Sequence, residues 1–566
     1  MTTFNAYYQS ELTFLRESGR AFATAYPDAA KYLAEPGSDP DVERLLEGVA
    51  FLTGRIRQRL DDGLPEVTHT LIDALLPHYL RPIPAMTVVQ FASLASRRET
   101  VIVPAGATID AVAHGGTACR FRTVHAVAVT PLTLTHVRSE PGPPTRVLLD
   151  FTIPKGAVLR GLDRVRLYLG DDAPAARALH LCLSRHDGLT LTLEGRPTAS
   201  RLQLLPVGFA PEEALLPHPQ TASDCHRLLL EWFAFPQRFH GLELIGLDAA
   251  LPPGTTSFTV SVTVASHARH LPSLGPASVL LHTTPAVNLF IGDADPVTVD
   301  GRSSVHRVRP AGSNPQHQAI FAITGVTGRN HGAAHDIPLE RRWHRNASAA
   351  TWLERRRPAV LGSGAEVDLL LDHPPLADGP LVLSLEILCT NRDLPAQLGI
   401  GDLRRPGTGI PAGLTVRNLL VPTMAIEPAL CGDLHWRLLG QLTLDRGSLL
   451  SVTGLREAFA LYDLRASVDQ TARHAHQRLC DALLEVTSER TIRLLDGVPI
   501  RGVAITLSFD EERLGGAGEA HLVGSVLDGF FAGAVSLNAF IRVAVRCTRG
   551  GELFTWPDRL GRKRLL

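Results

Sequence analysis

Residues 497–556 read GVPIRGVAITLSFDEERLGGAGEAHLVGSVLDGFFAGAVSLNAFIRVAVRCTRGGELFTW, and this stretch decides the fold class. Val498 to Phe509 has the composition of a strand. The Gly-rich Leu514-Gly515-Gly516-Ala517-Gly518 follows, and from Leu522 the hydrophobic period changes. Leu522, Val523, Val526, Leu527, Phe530, Phe531, Ala534 and Leu537 recur at spacings of three and four, which places them on one face of a helix. At Ile541 the period drops to two: Ile541, Val543, Val545 and Cys547 alternate with Arg542, Ala544 and Arg546, as in a half-buried strand. Gly550-Gly551 is expected to supply the positive φ angles of a tight turn. Leu553 to Trp556 returns as the partner strand before Pro557. The stretch reads as a β-α-β-β module whose apolar helix is there to pack.

The whole chain has 566 residues, more than one core can serve, since single cores stop growing near ~250–300 residues. Hydrophobic content of 45% and charge of 20% are those of a globular protein rather than a disordered one. The formal net charge of -1 argues against a nucleic-acid footprint. Lys31, Lys155 and Lys563 are the only lysines, so the positive charge is nearly all arginine, which suits bidentate ion pairs at interfaces. The 7 cysteines are scattered, with no zinc-knuckle or redox spacing, and read as reduced core residues. No signal-like segment opens the sequence and no uncharged run approaches the ~18 residues of a spanning helix. A cytoplasmic protein without direct membrane insertion is expected.

Outward from the module, residues 4–80 are helical. Phe4, Tyr8, Leu12, Leu15, Gly19 and Phe22 form one stripe. Asp39-Pro40-Asp41 has the marks of a helix start, and Val42, Leu45, Leu46, Val49, Leu52, Ile56 and Leu60 follow at helical spacing. Pro65 opens a third helix with Val67, Leu71, Leu75 and Leu76. Helices striped this strongly bury their faces against each other or against a partner. From Met86 the texture becomes short β-runs separated by Pro and Gly, which suggests sandwich or barrel-like domains. A short helix at Cys225 to Phe233 interrupts them, and Val305 to Arg309 reads as a short strand. Residues 311–350, rich in Gly, Asn and His, read as a long loop or insertion. After Pro422 helical stripes return (Trp436, Leu439, Leu442; Leu455, Ala458, Phe459, Tyr462). Val468 to Leu484 reads as a further helix or its connection. The expected fold is α+β and multidomain: an N-terminal helical bundle (1–85), a β-rich domain (86–300), a second β-rich domain with a long polar loop (301–430), and a C-terminal α/β domain (431–566).

Candidate chemistry is thin. His331, His335 and Asp336 resemble half a metal site but lack the Glu of a zinc-hydrolase helix. His474 and His476 are two apart and would not face one another on a helix. His114-Gly115-Gly116 has no Gly-x-Ser-x-Gly elbow to serve. Gly399-Ile400-Gly401 lacks a third glycine and a following helix. Asp61-Asp62 and Glu511-Glu512 read as acids that cap or solvate element ends. Arg355-Arg356-Arg357 and the tail Arg559 to Arg564 read as solvated or partner-facing surface. No catalytic, cofactor or metal residue is assigned.

Several stretches, in order along the chain, resemble one family. They are Tyr7-Tyr8-Gln9-Ser10-Glu11-Leu12 with Phe14-Leu15-Arg16, then Asp39 to Gly48, Pro77-His78-Tyr79-Leu80, and Glu231-Trp232-Phe233-Ala234-Phe235-Pro236. Thr284-Pro285-Ala286-Val287-Asn288-Leu289-Phe290, Cys389-Thr390-Asn391-Arg392-Asp393-Leu394-Pro395, and Val523 to Leu527 running on through Phe530-Phe531 to Phe540 complete the set. The family is TssF (also called VasA/ImpG), the baseplate wedge subunit of bacterial type VI secretion systems. Gly533 and Ala534 stand where bulkier residues are expected, and residues 311–350 do not align.

The resemblance implies a non-enzymatic structural subunit. Its expected partners are TssG, TssK, TssE, the spike protein and a second TssF copy, in a cytoplasmic baseplate recruited to the inner membrane that templates the contractile sheath. The alternatives are a wedge protein of a phage tail or other contractile injection baseplate, and a hydrolase on a β-scaffold. Residues expected to pack or to meet a partner are Tyr8, Leu12, Leu15, Leu45, Val49, Leu52, Val526, Phe530, Phe531, Leu537 and Phe540. For Phe530, Phe531 and Phe540 an internal core is the default.

Overall fold

The computed structural model describes residues 4–28, 39–61, 65–93, 98–113, 116–158, 162–170, 172–198, 200–217, 224–265, 271–312, 314, 316–330, 336–341, 350–359, 364–372, 380–430, 434–443, 448–495, 498–535 and 539–561. Its α-helices are α1 (Phe4–Ala25), α2 (Pro40–Asp61), α3 (Pro65–Leu75), α4 (Ala173–Ser184), α5 (Asp224–Ala234), α6 (Leu247–Ala250), α7 (Leu434–Thr443), α8 (Val452–Tyr462), α9 (Gln470–Ala482), α10 (Glu511–Leu514) and α11 (Ala517–Ala534). Contacts divide the chain into two units. One holds Met1–Leu80, Arg355–Glu366 and Pro428–Leu444; the other holds Arg81–Glu354, Val367–Glu427 and Asp445–Leu566.

The first unit is helical. Asp39 caps α2, its Oδ1 accepting the Asp41 N–H at 2.9 Å, and Asp41 and Glu43 sit at the positive end of the helix dipole. Farther along, α7 packs on α3 despite its distance in sequence. The His435 ring meets His69 edge-on at 4.8 Å and Tyr79 at 6.2 Å, while His69 Nε2 donates to the Leu430 carbonyl at 3.1 Å. Burial pushes His435 down to about 4, so its ring is neutral at physiological pH.

The second unit carries the sheets. Arg196–Thr198, His186–Leu193, Ser257–Val264, Arg146–Thr152 and Thr133–Glu140 form one sheet, and Gln203–Pro206, Gly241–Ile245, Arg164–Leu169 and Val279–Leu281 another. Their inner residues share one core with α4, as in a sandwich. A second sandwich core lies between the sheet built on Leu381–Thr390 and the one built on Ala365–Asp372. A six-stranded sheet joins distant segments, running Leu403–Pro406, Thr108–Ala111, Arg120–Thr123, Thr283–Val287, Met86–Ser93, Leu414–Asn418. The α+β multidomain fold expected from sequence is the observed one.

In the opening stretch, Val498–Phe509 and Ala539–Cys547 run parallel on either side of α11, from Arg501 opposite Ala539 to Phe509 opposite Cys547. Leu553–Thr555 returns antiparallel. Ile541, Val543, Val545 and Cys547 are all buried. Four details differ from expectation. A 13-residue strand, Leu483–Leu495, precedes the module and pairs along Val498–Phe509, so the unit is β-β-α-β-β. Only Gly551 of the turn pair has positive φ, at 73°. The helix ends at Ala534, and Leu537 lies outside the described residues. Helix α11 is buried well beyond one face: Ala520, His521, Ser525 and Asp528 are interior along with the apolar residues.

Glycine makes that all-round burial possible. A Cβ on Gly518 would meet the Arg177 carbonyl of α4 at 2.5 Å; one on Gly529 would meet Leu228 of α5 at 2.5 Å; one on Gly533 would meet the Cys225 Cβ at 2.3 Å. The absence of bulk at Gly533 is what lets α5 lie against α11. On the sheet side, a Cβ on Gly524 would meet the Trp556 ring at 2.4 Å and the Val545 side chain at 2.8 Å.

Two further expectations are corrected. Residues 311–350 contain the 12-residue strand Ala319–Asn330, paired along Leu381–Thr390. Two register shifts interrupt its alternation, and the Gly, Asn and His content of its surroundings hides it. His331 to His335 lie outside the described residues, as does the His114-Gly115 pair. Helix α4, between two strands, was not expected either; Pro174 opens it.

Replacing Gly524 with valine should lower the unfolding free energy in urea by about 1–3 kcal/mol through overpacking. Gly48→Ala, where a Cβ meets nothing within 4 Å on α2, should leave it unchanged or raise it by up to ~1 kcal/mol.

Candidate interaction surface

Helices α1 and α2 pack through their small residues. Ala50 is fully buried, and a Cβ on Gly54 would lie 3.3 Å from the Tyr8 backbone nitrogen. Arg16 pairs with Glu43 at 2.8 Å and Arg57 with Glu11 at 2.7 Å, which fixes the two helices antiparallel. Because Ala50 and Gly54 take the inner position, the large apolar residues of α2 point out. Leu45, Val49, Leu52, Ile56 and Leu60 are between 45% and 70% exposed. Phe14 and Phe22 on α1, Tyr26 just beyond it, and Val67 and Leu71 on α3 are exposed too. Burying one such side chain is worth roughly 1.5–3 kcal/mol, so a helix bearing five along one stripe has the composition of a docking surface.

The structure therefore sorts the sequence-derived residues into two sets. Leu12 is buried and Tyr8 and Leu15 are half-buried between the helices, while Leu45, Val49 and Leu52 stand on the outer face. Val526, Phe530, Phe531 and Phe540 are interior. Phe530 stands 5.9 Å from His226 and 6.5 Å from Tyr462, ring to ring, and Phe540 lies over Gly502 in the space its missing side chain leaves.

The motifs that carry the family resemblance place buried polar groups rather than reactive ones. Glu231 on α5 accepts from the Leu215 N–H at 2.8 Å and from Arg227 at 2.9 Å, and it also pairs with Arg238. Arg238 donates onward to the Gly208 carbonyl at 2.8 Å and the Glu213 carbonyl at 2.6 Å. Burial pushes the Arg238 guanidinium down to about 9, so it keeps its charge at neutral pH. Asn288 and Asn391 clasp two sheets together. Asn288 Nδ2 donates to Asn391 Oδ1 and to the Arg120 carbonyl, both at 2.8 Å, and the Asn391 N–H donates back to Asn288 Oδ1 at 2.7 Å.

Sequence reasoning missed Arg238 and Asn418. Asn418 uses its whole amide: Oδ1 accepts from Gly401 and Leu403 N–H, and Nδ2 donates to the Gly399 and Leu420 carbonyls. It thereby holds the Gly399-Ile400-Gly401 turn. An arginine followed by apolar residues, or an asparagine ending a strand, carries no sequence signal for such roles.

Of the two acidic pairs, the one at Glu511 behaves as a cap, while Asp62 of the other lies outside the described residues. The Glu511 carboxylate accepts from the backbone N–H groups of Arg549 and Gly550, and Asp510 takes Arg549 in a bidentate pair. His476 Nδ1 meets Asp463 Oδ2 at 3.0 Å, and its Nε2 lies 3.5 Å from the Cys480 Sγ one turn on. Hydrogen bonding to Asp463, then to Cys480, raises His476 to about 10. Among the described residues, no three His, Cys, Asp or Glu side chains converge as metal ligands.

Glu231→Gln keeps the shape but leaves two buried guanidinium groups without their counter-charge. It should cost about 3–5 kcal/mol in urea denaturation. His476 contributes stability that is complete below its unfolded value of ~6.5 and drains away as pH rises toward about 10. Thermal melts between pH 6 and 10 should show a decline that His476→Gln flattens.

The chain's relatives share this architecture. The family described as "Type VI secretion system, TssF" matches residues 1–563. The type VI secretion system component TssF1 of Pseudomonas aeruginosa is 32% identical over 98% of both chains. A chain of the type VI secretion system TssK-TssF-TssG baseplate subcomplex, seen by cryo-electron microscopy, superposes with a TM-score of 0.77 at 31% identity, over 93% of this chain and 99% of that one. A chain of the baseplate complex from the type VI secretion system gives 0.70 at 29% identity, over 99% and 100%. This chain belongs to the TssF family of the type VI secretion system.

Proposed function

We propose that the chain is a non-enzymatic structural subunit of the type VI baseplate wedge, joined to TssG-type and TssK-type subunits. The observation that carries this reading is the outward apolar stripe of α2, Leu45, Val49, Leu52, Ile56 and Leu60, on a helix whose inner face is already filled by α1. A structural similarity covering nearly the whole chain supports it, since the matched chains come from a TssK-TssF-TssG subcomplex and from a baseplate. The polar clusters support it as well, because each one closes on backbone groups or on an ion-pair partner. In this reading a second copy of the chain joins the wedge, TssE and the spike are its neighbours, and the assembled cytoplasmic baseplate is recruited to the inner membrane and templates the sheath. No helix among the described residues is long and apolar enough to cross a membrane, so recruitment falls to a partner.

Co-expression with TssG and TssK subunits, followed by affinity capture and size exclusion, tests the proposal. The wild type should co-elute in a fixed stoichiometry. A Val49→Asp, Leu52→Asp, Ile56→Asp variant should lose that association while melting within a few degrees of wild type, because the three side chains are exposed. Unchanged co-elution of the triple variant would remove α2 as the docking face.

A further inference from the structure

The Leu483–Leu495 strand ends its sheet. Its inner side pairs along Val498–Phe509 and, among the described residues, no strand lies on its outer side. Open strand edges are usually blunted by proline, charged side chains, bulges or shortness. This one runs 13 residues without proline, and its charges are two of each sign, Glu485 and Glu489 with Arg490 and Arg493, so they guard it against a random strand but not against one of matching charge. It is also open on its faces near the tip, where Ile492 is 66% and Leu494 74% exposed.

The sequence of the strand states what fits it. Residues 484–494 read LEVTSERTIRL. Folded back about Glu489, this run is complementary to itself: Glu485 falls opposite Arg493, Val486 opposite Ile492, Thr487 opposite Thr491 and Ser488 opposite Arg490. We propose that this edge pairs antiparallel with the same strand of a second copy, about a two-fold axis through Glu489, to make one sheet continuous across two chains. The inference deepens the second-copy element of the wedge reading.

Backbone geometry narrows the register. Alternate residues of an edge strand point their N–H and C=O groups outward, so outward residues must face outward residues. Only registers symmetric about a residue, not about a peptide bond, satisfy that. Centring on Ser488 sets Val486 opposite Arg490 and Glu485 opposite Thr491. Centring on Arg490 opposes Arg490 to itself and sets Ser488 opposite Ile492. The Glu489 register alone among these three matches charge with counter-charge and apolar with apolar.

It also puts both helix-covered faces on one side. Val486 stands opposite Leu507, which stands opposite the buried Val545 beneath α11. In the pair, each exposed Ile492 lies beside the other copy's Val486 and extends that apolar face. Arg493 pairs with Asp558 at 3.1 Å in its own chain but is half exposed, so its remaining N–H groups are free to take Glu485 of the second copy. The one mismatch is Glu489 against itself.

That mismatch makes the test specific. Glu489→Cys places two cysteines face to face across the two-fold, whereas Thr491→Cys leaves its two copies four residues apart, about 13 Å. Under mild oxidation of the full chain, Glu489→Cys should give a disulfide-linked dimer well above the wild-type background, and Thr491→Cys should not. In sedimentation, Glu485→Arg should weaken self-association by roughly 2- to 30-fold, since each dimer holds two such pairs. Glu489→Thr should tighten it. Equal cross-linking of both cysteine variants, or indifference of self-association to Glu485→Arg and Glu489→Thr, would overturn the proposal. Both readouts use this chain alone, so their failure is distinguishable from a failure to capture TssG or TssK.

Discussion

The close approach of α11 to its neighbours is the constraint on which the largest body of the structure depends. A helix normally presents one face to a core. This one is approached by α4 at Gly518, by α5 at Gly529 and Gly533, and by the sheet at Gly524. The chain thereby brings elements from residues 173–184, 224–234 and 498–556 onto a single axis. Burial of Asp528 inside this packing is met by Arg559 from beyond the last hairpin, yet desolvation still lifts its carboxyl to about 6. A second ion pair, Arg177 of α4 with Glu519 in the first turn of α11, closes the same hub at its other end.

The sequence was legible where a single periodicity governs a whole element. The alternation from Ile541 to Cys547, the α8 stripe and the Asp39-Pro40 start all appear in the structure as read. Legibility failed where a second influence overlies the period. Ala319–Asn330 carries register shifts and lies in polar surroundings, so composition outweighed pattern. Leu483–Leu495 is exposed on both faces near its tip and has no alternation to show. In α2 the stripe was visible but its direction was not. Gly54 and Ala50 decide which face turns inward, and small residues leave no mark on a hydrophobic pattern. The polar anchors Arg238 and Asn418 were invisible for a different reason: most of their hydrogen bonds go to backbone groups 15 or more residues away, which leave no local pattern.

Charge and apolar surface are distributed against the usual expectation in this molecule. Glu231 with its two arginines, and the Asn288–Asn391 clasp, are interior; Leu45, Val49, Leu52, Ile56 and Leu60 line the outside of α2. Buried ion pairs are weak evidence of stability, because desolvation offsets most of their attraction. They do fix geometry, since any displacement strands a charge. Polar joints inside the β-rich unit and, in the helical unit, an α2 stripe of apolar residues facing out are each what a part in an assembly is expected to show.

The same logic separates two kinds of open surface. The α2 stripe gains by burying carbon, is indifferent to small shifts in register, and suits a partner that wraps or bundles with it. The Leu483–Leu495 edge gains by satisfying backbone hydrogen bonds, and a one-residue slip would face outward groups with inward ones. An apolar stripe therefore sets how strongly two parts adhere, while a strand edge sets their angle and register. A joint between two parts draws on both, because adhesion without register leaves the angle free and register without adhesion leaves the contact weak.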